Sequence, residues 1–196
     1  MEKSLFDNGF FEFVQSEKEY NIDNNKKVIK RNFVRRPPGI RALIIDKQEE
    51  KILLSKEYRY ELEGWDYRLP GGKVFEDLES YKQAIKEGNV LEHVEKTVPK
   101  EVEEEVGLLI KNQKLLKISN AGAGVEWDLY YYEITDYEID STGQKLEEDE
   151  VIEGYVWKSY EEIIKMCIEN KIREERTVGV LLTYILKKKQ WKERRR

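Results

Sequence analysis

Apolar and polar residues alternate through "FFEFVQ" at 10–15 and "KKVIKRNFVRR" at 26–36, the period-two pattern of strands with one covered face. "YNIDNNKK" between them reads as a turn, and "RPPG" at Arg36–Gly39 interrupts any regular element. "IRALIID" and "KILLSKEYRY" follow as two strands around a turn at Lys47–Glu50. "GWDYRLPGG" is a third strand ending in a proline–glycine turn. From Glu79 to Gly107 the period becomes helical. Tyr81–Lys86 predicts a short helix closed by Gly88, and Asn89 with Glu92 predicts a capping box for the next one. Leu91, Val94, Val98, Val102 and Val106 recur at intervals of three and four, which predicts one buried stripe; Pro99 within it predicts a kink. "GLLIKNQKLLKIS" and "WDLYYYEITDYEI" read as strands flanking "NAGAG", "GQKLEEDE" as an acidic loop, and "VIEGYVW" as a strand. Helices are expected at Tyr160–Asn170 and from Thr177 to about Lys192. Strands and helices mix without regular alternation, so the expected class is α+β.

Composition narrows the chemistry. The 196 residues suit one domain with an arm, and 39% apolar with 11% aromatic residues is enough for a core. The net charge of −5 in a chain that is 38% charged argues against nucleic acid or an anionic membrane as partner. The basic end, "KKKQWKERRR", can grip phosphates or simply complement a helix dipole. Cys167 is the only cysteine, set at helical spacing among Ile163, Ile164 and Ile168, and reads as a small core residue. His93 is the only histidine, so histidine triads and multi-histidine zinc sites are excluded, and any metal would be held by oxygen. No stretch approaches 18 apolar residues, and the first residues lack the pattern of a signal peptide, so the expected compartment is the cytoplasm.

The densest charge is "KEVEEEVGL" at Lys100–Leu108. At about 100° per residue, Glu104 lies about −60° and Glu105 about +40° from Glu101, so three carboxylates share one helical face. Glu103 is expected to point away into solvent. Like charges one turn apart repel, and a divalent cation would turn that repulsion into attraction. A solvated acidic face is the other reading of the same spacing.

Taken with "LPGGKVFEDLES" upstream, this segment resembles the signature of the Nudix hydrolases: glycine, five residues, glutamate, seven residues, then arginine–glutamate–apolar–any–glutamate–glutamate–any–glycine–apolar. Lys100 to Leu108 fits every position except that lysine stands for arginine. Gly72 to Glu79 has one residue more than the pattern, and an insertion of about thirteen separates Glu79 from Lys100. The stretch from Pro37 to Gly72 resembles the ADP-ribose and ADP-sugar pyrophosphatases, with Glu57, Tyr58 and Arg59 at their glutamine–aromatic–arginine segment. "SNAGAGVE" is similar to their serine–proline–glycine loop with a glutamate, here Glu126, after it. "LEEDEVIEGYVW" and "KIREERTVGVLLTYIL" are similar to their acidic loop and final helix.

The resemblance implies a Nudix-type α/β/α sandwich with a mixed central sheet at 39–196, preceded at 1–38 by a β arm that can pair two copies as a homodimer. It implies metal-dependent cleavage of a nucleoside diphosphate linked to another group, most directly ADP-ribose or a nucleotide sugar. Glu101, Glu104 and Glu105 would hold magnesium or manganese, with the Gly71 carbonyl as a further ligand and Glu79 or Glu76 as an outer support. Glu148, or Glu150 after it, would be the base. Arg59 can pair with a phosphate, and Tyr58, Trp65 or Trp127 can stack on adenine. Hydrolysis of nucleoside triphosphates or dinucleotides, and nucleotide binding without turnover, are the alternatives; both glutamates of the pair, Glu104 and Glu105, are present, which favours catalysis.

Overall fold

The computed structural model describes residues 1–141, 143–145 and 151–193, with side chains as far as residue 190. Two compact units emerge. One comprises Met1–Ile40, Gly72–Thr97 and Ile118–Tyr130; the other comprises Arg41–Gly71, Val98–Lys117 and Tyr131–Arg196.

The first unit is built on a four-stranded sheet in the order β1-β2-β3-β8. Strands β2 (Glu12–Ile22) and β3 (Asn25–Arg35) form the hairpin expected from their alternation. They meet at Asp23 and Asn24, both at positive φ, as a tight two-residue hairpin turn demands. Buried Glu12, Val14 and Ser16 alternate with exposed Phe11, Phe13 and Gln15. Strand β1 (Glu2–Asp7) was not legible in the pattern, because every residue in it is exposed and no face shows a stripe. The two residues of β8 (Val125–Glu126) run parallel to the end of β3. Helix α1 (Leu78–Glu87) starts at Asp77, whose side chain accepts from the Ser80 N–H, and buries Leu78, Tyr81 and Ala84 with Phe75.

Helix α2 (Val90–Val106) runs unbroken through Pro99. Val94, Val98 and Val102 are fully buried, as the spacing predicts. Leu91 departs from the expected stripe at 43% exposure, and Val90 instead packs on the Phe75–Leu78 cluster. The capping box at Asn89 does not form either. Asn89 belongs to the end of α1: its N–H bonds to Ala84 O at 3.1 Å, and its side-chain amide donates to Glu87. Its Oδ1 accepts nothing among the described residues. Gly88, left-handed at φ 73°, makes that continuation possible.

The second unit carries a six-stranded sheet in the order β10-β5-β4-β9-β7, with β6 beside β5. Its strands are β4 (Gly39–Asp46), β5 (Lys51–Arg59), β6 (Gly64–Arg68), β7 (Leu108–Asn120), β9 (Asp128–Ile139) and β10 (Ile152–Ser159). Central position explains composition. In β4 Ala42 to Ile45 and in β9 Leu129 to Tyr132 are buried on both faces, whereas outer β7 keeps one face wet. Helix α3 (Tyr160–Ile168) opens on a capping box between Ser159 and Glu162, and α4 (Glu175–Glu193) follows. Cys167 in α3 is half-buried, and burial raises its thiol pKa, in keeping with a packing role; its neighbour Ile168 is exposed. No helix is long and apolar enough to cross a membrane.

Candidate active site

The acidic segment forms the last two turns of α2, and each glutamate has its own environment. Val98 and Val102 anchor the helix in the core, which leaves Glu105, three residues beyond Val102, facing inward at 5% exposure. A buried carboxylate requires donors. The Gly71 N–H supplies one, at 2.7 Å from Oε2. Gly71 is held from its other side too, since Arg41 Nη1 donates to its carbonyl oxygen at 2.7 Å. At φ 140°, this peptide adopts a conformation suited to glycine. The signature helix and the proline–glycine turn are therefore fastened through one peptide.

Glu104 is half-exposed and pairs with Lys100 at 3.4 Å, one turn back. Thus the lysine in place of the signature's arginine does brace a glutamate, as a point charge. Glu101 is half-buried on the same face. Glu103 does not point freely into solvent as expected. It is half-buried and pairs with Lys145 at 3.2 Å, because the segment at 143–145 folds against the helix end.

That segment satisfies the carbonyls a helix leaves open at its C-terminus. The Lys145 N–H bonds to Glu104 O at 2.8 Å, Gln144 Nε2 bonds to Glu105 O at 2.8 Å, and the Tyr155 hydroxyl donates to the same oxygen. Gly107 ends the helix at φ 68°, and a Cβ on it would stand 3.2 Å from the carbonyl carbon of Gly143. The signature's glycine is required here both by backbone conformation and by space.

Among the described residues, no three His, Cys, Asp or Glu side chains converge as a ready metal cage. The donors nonetheless suit a hard divalent ion. Glu101 and Glu104 are accessible carboxylates one turn apart, and the Lys100–Glu104 pair to be exchanged is a surface pair of about 0.3–0.5 kcal/mol. The Gly71 carbonyl has one of its two lone pairs engaged by Arg41. Glu148 and Glu150 lie outside the described residues. Their flanks are in the same unit: Lys145 on the end of α2, and Val151, whose carbonyl accepts from the Tyr58 N–H at 2.9 Å.

Tyr58 and Trp65 are cross-strand partners on β5 and β6, with ring centroids 5.7 Å apart and edge to face. Tyr60 adds a third ring 5.6 Å from Tyr58. Trp65 is 42% exposed, and Lys56 Nζ stands 5.2 Å over its ring. Arg59 beside it pairs with Glu61 at 3.0 Å and Glu57 at 3.7 Å. Glu126 and Trp127 lie in the first unit with their own partners. Glu126 takes a two-point contact from Arg35 at 2.9 and 3.3 Å, and the Arg36 guanidinium stands 4.1 Å over the Trp127 ring. Glu79 is in the first turn of α1, and Glu76 pairs with Lys73. Arg41, Gln144 and Tyr155 were not singled out by sequence reasoning. Only Arg41 gave a signal, as the one charge inside the apolar run of β4.

An α+β domain with carboxylates on a helix end pinned to a glycine turn has the parts of a pyrophosphohydrolase. The family model for the NUDIX domain matches residues 35–178, and the chain belongs to the Nudix family. A solved structure described as the crystal structure of an ADP compounds hydrolase shares the fold, with a TM-score of 0.64 over 98% of this chain and 93% of that one at 15% identity. Among the curated proteins compared, none matches the chain. Hydrolases of the Nudix family generally use divalent metal ions.

Proposed function

We propose that the protein hydrolyses the pyrophosphate of ADP-ribose or a related nucleotide sugar, with magnesium or manganese, to a nucleoside monophosphate and a sugar phosphate. The contact that carries this reading is the 2.7 Å bond between Gly71 N–H and buried Glu105, which binds the two halves of the Nudix signature into one site. The fold shared with a hydrolase of ADP compounds supports the substrate class.

Glu101, Glu104 and Glu105, with the Gly71 carbonyl, would hold the cation. When bound, it supplies neutralisation of the phosphate oxygens and acidification of water. Arg59 pairs with a phosphate oxygen, and the Tyr58–Trp65 surface stacks on the adenine. Glu148 takes the proton as water attacks phosphorus and the bridging P–O bond breaks; Glu150 is second choice for that role. Glu126, the glutamate after the 119–125 loop, completes the proposed substrate-binding set; Arg35 holds its carboxylate through two bonds.

A panel of nucleoside diphosphate compounds incubated with magnesium, with released monophosphate measured, tests this directly. Turnover of ADP-ribose or a nucleotide sugar is expected; turnover confined to triphosphates or dinucleotides moves the substrate, and no release from any compound rejects hydrolysis. Glu148→Gln is expected to cost more turnover than Glu150→Gln at saturating magnesium, and the reverse order reassigns the base.

We further propose that residues 1–38 are a dimerisation arm of the Nudix domain at 39–196. Phe6 and Phe13 are cross-strand partners exposed by 62% and 38%, and an aromatic pair so placed gains from burial against a second copy. A monomeric mass by light scattering at micromolar concentration would dispose of the arm's role.

A further inference from the structure

Arg59 and Arg68 hold the same carboxylate oxygen. Arg59 Nε lies 3.0 Å and Arg68 Nη2 lies 3.5 Å from Glu61 Oε1. The two arginines differ in mobility. Arg68 ends β6, its side chain is only 10% exposed, and its Nε is fixed at 3.0 Å by the fully buried Asp66. Asp66 is fixed in turn by the Arg173 N–H at 3.0 Å. The anion between them is held far less firmly. Glu61 sits in a single 3₁₀ turn, Tyr60–Leu62, that buries no residue, and its side chain is 54% exposed. Glu63 closes the turn in the left-handed region at φ 46°. One firmly held guanidinium, that of Arg68, and one more exposed, that of Arg59, thus face a replaceable carboxylate, one residue from the aromatic surface of Tyr58 and Trp65.

We propose that Arg59 and Arg68 form a slot for a substrate phosphate, and that Glu61 occupies this slot in the free protein as an internal competitor. The assignment rests on the pyrophosphatase reading and deepens it, because it adds Arg68 and Glu61 as residues that set affinity. Two guanidinium forks match the several oxygens of a phosphate better than one carboxylate oxygen. Acids face the slot as well: Asp66 holds Arg68, and Glu57 lies 3.7 Å from Arg59. Burial first, then the charges of Arg59 and Arg41, make Arg68 easier to deprotonate than an ordinary arginine, while Asp66 and Glu57 oppose that shift. Substrate enters when Glu61 swings out, so the carboxylate lowers affinity for every anion of this class.

The test is the affinity of inorganic pyrophosphate, measured by calorimetry without divalent cations. The proteins are the unmodified chain, Glu61→Gln, Arg59→Gln and the double variant; all change exposed or half-exposed residues. Glu61→Gln is expected to bind pyrophosphate about two- to five-fold more tightly, the range that a surface ion pair commands, and the gain is expected to vanish when Arg59 is also changed. Unchanged, weaker or unmeasurable binding by Glu61→Gln overturns the slot, as does a gain that survives in the double variant. Failure here is separable from failure of the functional reading. A chain that hydrolyses nucleotide sugars while Glu61→Gln gains nothing loses only the slot. Tighter pyrophosphate binding with no hydrolysis by the unmodified chain keeps the slot and removes the reaction.

Discussion

Replacing Glu105 separates two tasks that one carboxylate performs. It accepts the Gly71 N–H at 2.7 Å from a position only 5% exposed, and it contributes negative charge to the acidic turn. Glutamine keeps an oxygen in place for the Gly71 N–H but removes the charge. A hydrogen bond to a charged acceptor contributes roughly 1.5–3 kcal/mol and one to a neutral acceptor roughly 0.5–1.5 kcal/mol, so Glu105→Gln should cost about 1 kcal/mol. Alanine removes the acceptor, strands the Gly71 N–H and leaves a void, for about 3 kcal/mol. In a chain of this length each kcal/mol moves the melting midpoint by about 2–4 °C. Differential scanning calorimetry should therefore show Glu105→Gln close to the unmodified chain and Glu105→Ala about three times further down. Turnover with magnesium should fall about 100-fold or more in both, the scale seen when a preorganised electrostatic contact is lost. Near-normal turnover in Glu105→Gln would refute the cation-binding role. A glutamine variant as unstable as the alanine one would refute the claim that an acceptor oxygen suffices to fasten the turn.

Gly107→Ala should lower the free energy of urea unfolding by about 2 kcal/mol, combining the left-handed backbone cost with displacement of Gly143; a loss under about 0.5 kcal/mol would show that the segment at 143–145 yields freely. Glu174 gives a pH prediction. Burial raises its pKa, but bonds from Thr177 and Arg176 outweigh burial and hold it below the ordinary 4.5. A depressed folded-state value means the stabilisation is complete above the unfolded value and is lost as pH falls through the folded one. Melting midpoints should therefore drop as pH is lowered from about 5, and Glu174→Gln should flatten that drop; parallel curves would refute it.

What could be read in advance was what rests on period and covalent geometry. β4 and β5 showed themselves as apolar runs, the β2–β3 hairpin by alternation, and the ends of α1 and α2 by Gly88 and Gly107. The stripe of Val94, Val98 and Val102 also follows from spacing alone. The misses share a cause: they depend on partners remote in sequence. The helical wheel puts Glu103 in solvent because nothing near it in sequence announces Lys145. Asn89 has the sequence of a capping residue, yet the preceding helix end claims its backbone first. The acidic spacing located the candidate site, but it did not show that Glu105 turns inward to a glycine 34 positions away. Glu174 caps α4 through Thr177 and takes the Tyr131 hydroxyl, a pairing with no local signature.

Strand β3 has β2 along its full length on one side, but β8 meets its other side only at Val34 and Arg35. From Asn25 to Phe33 that side has no neighbouring strand among the described residues, which is the template on which sheets of separate molecules grow together. Lys26, Lys27, Lys30 and Arg31 line this stretch; Lys26, Lys30 and Arg31 pair with Glu19, Glu17 and Glu126, and a row of exposed cations on an edge still disfavours its pairing with an identical one. Such protection weakens as electrolyte shortens the reach of charge to about 8 Å at 0.15 M and below that in brine. Colloidal stability of this protein should accordingly decline in concentrated salt, and a change of those cations to neutral residues should bring turbidity on at lower ionic strength.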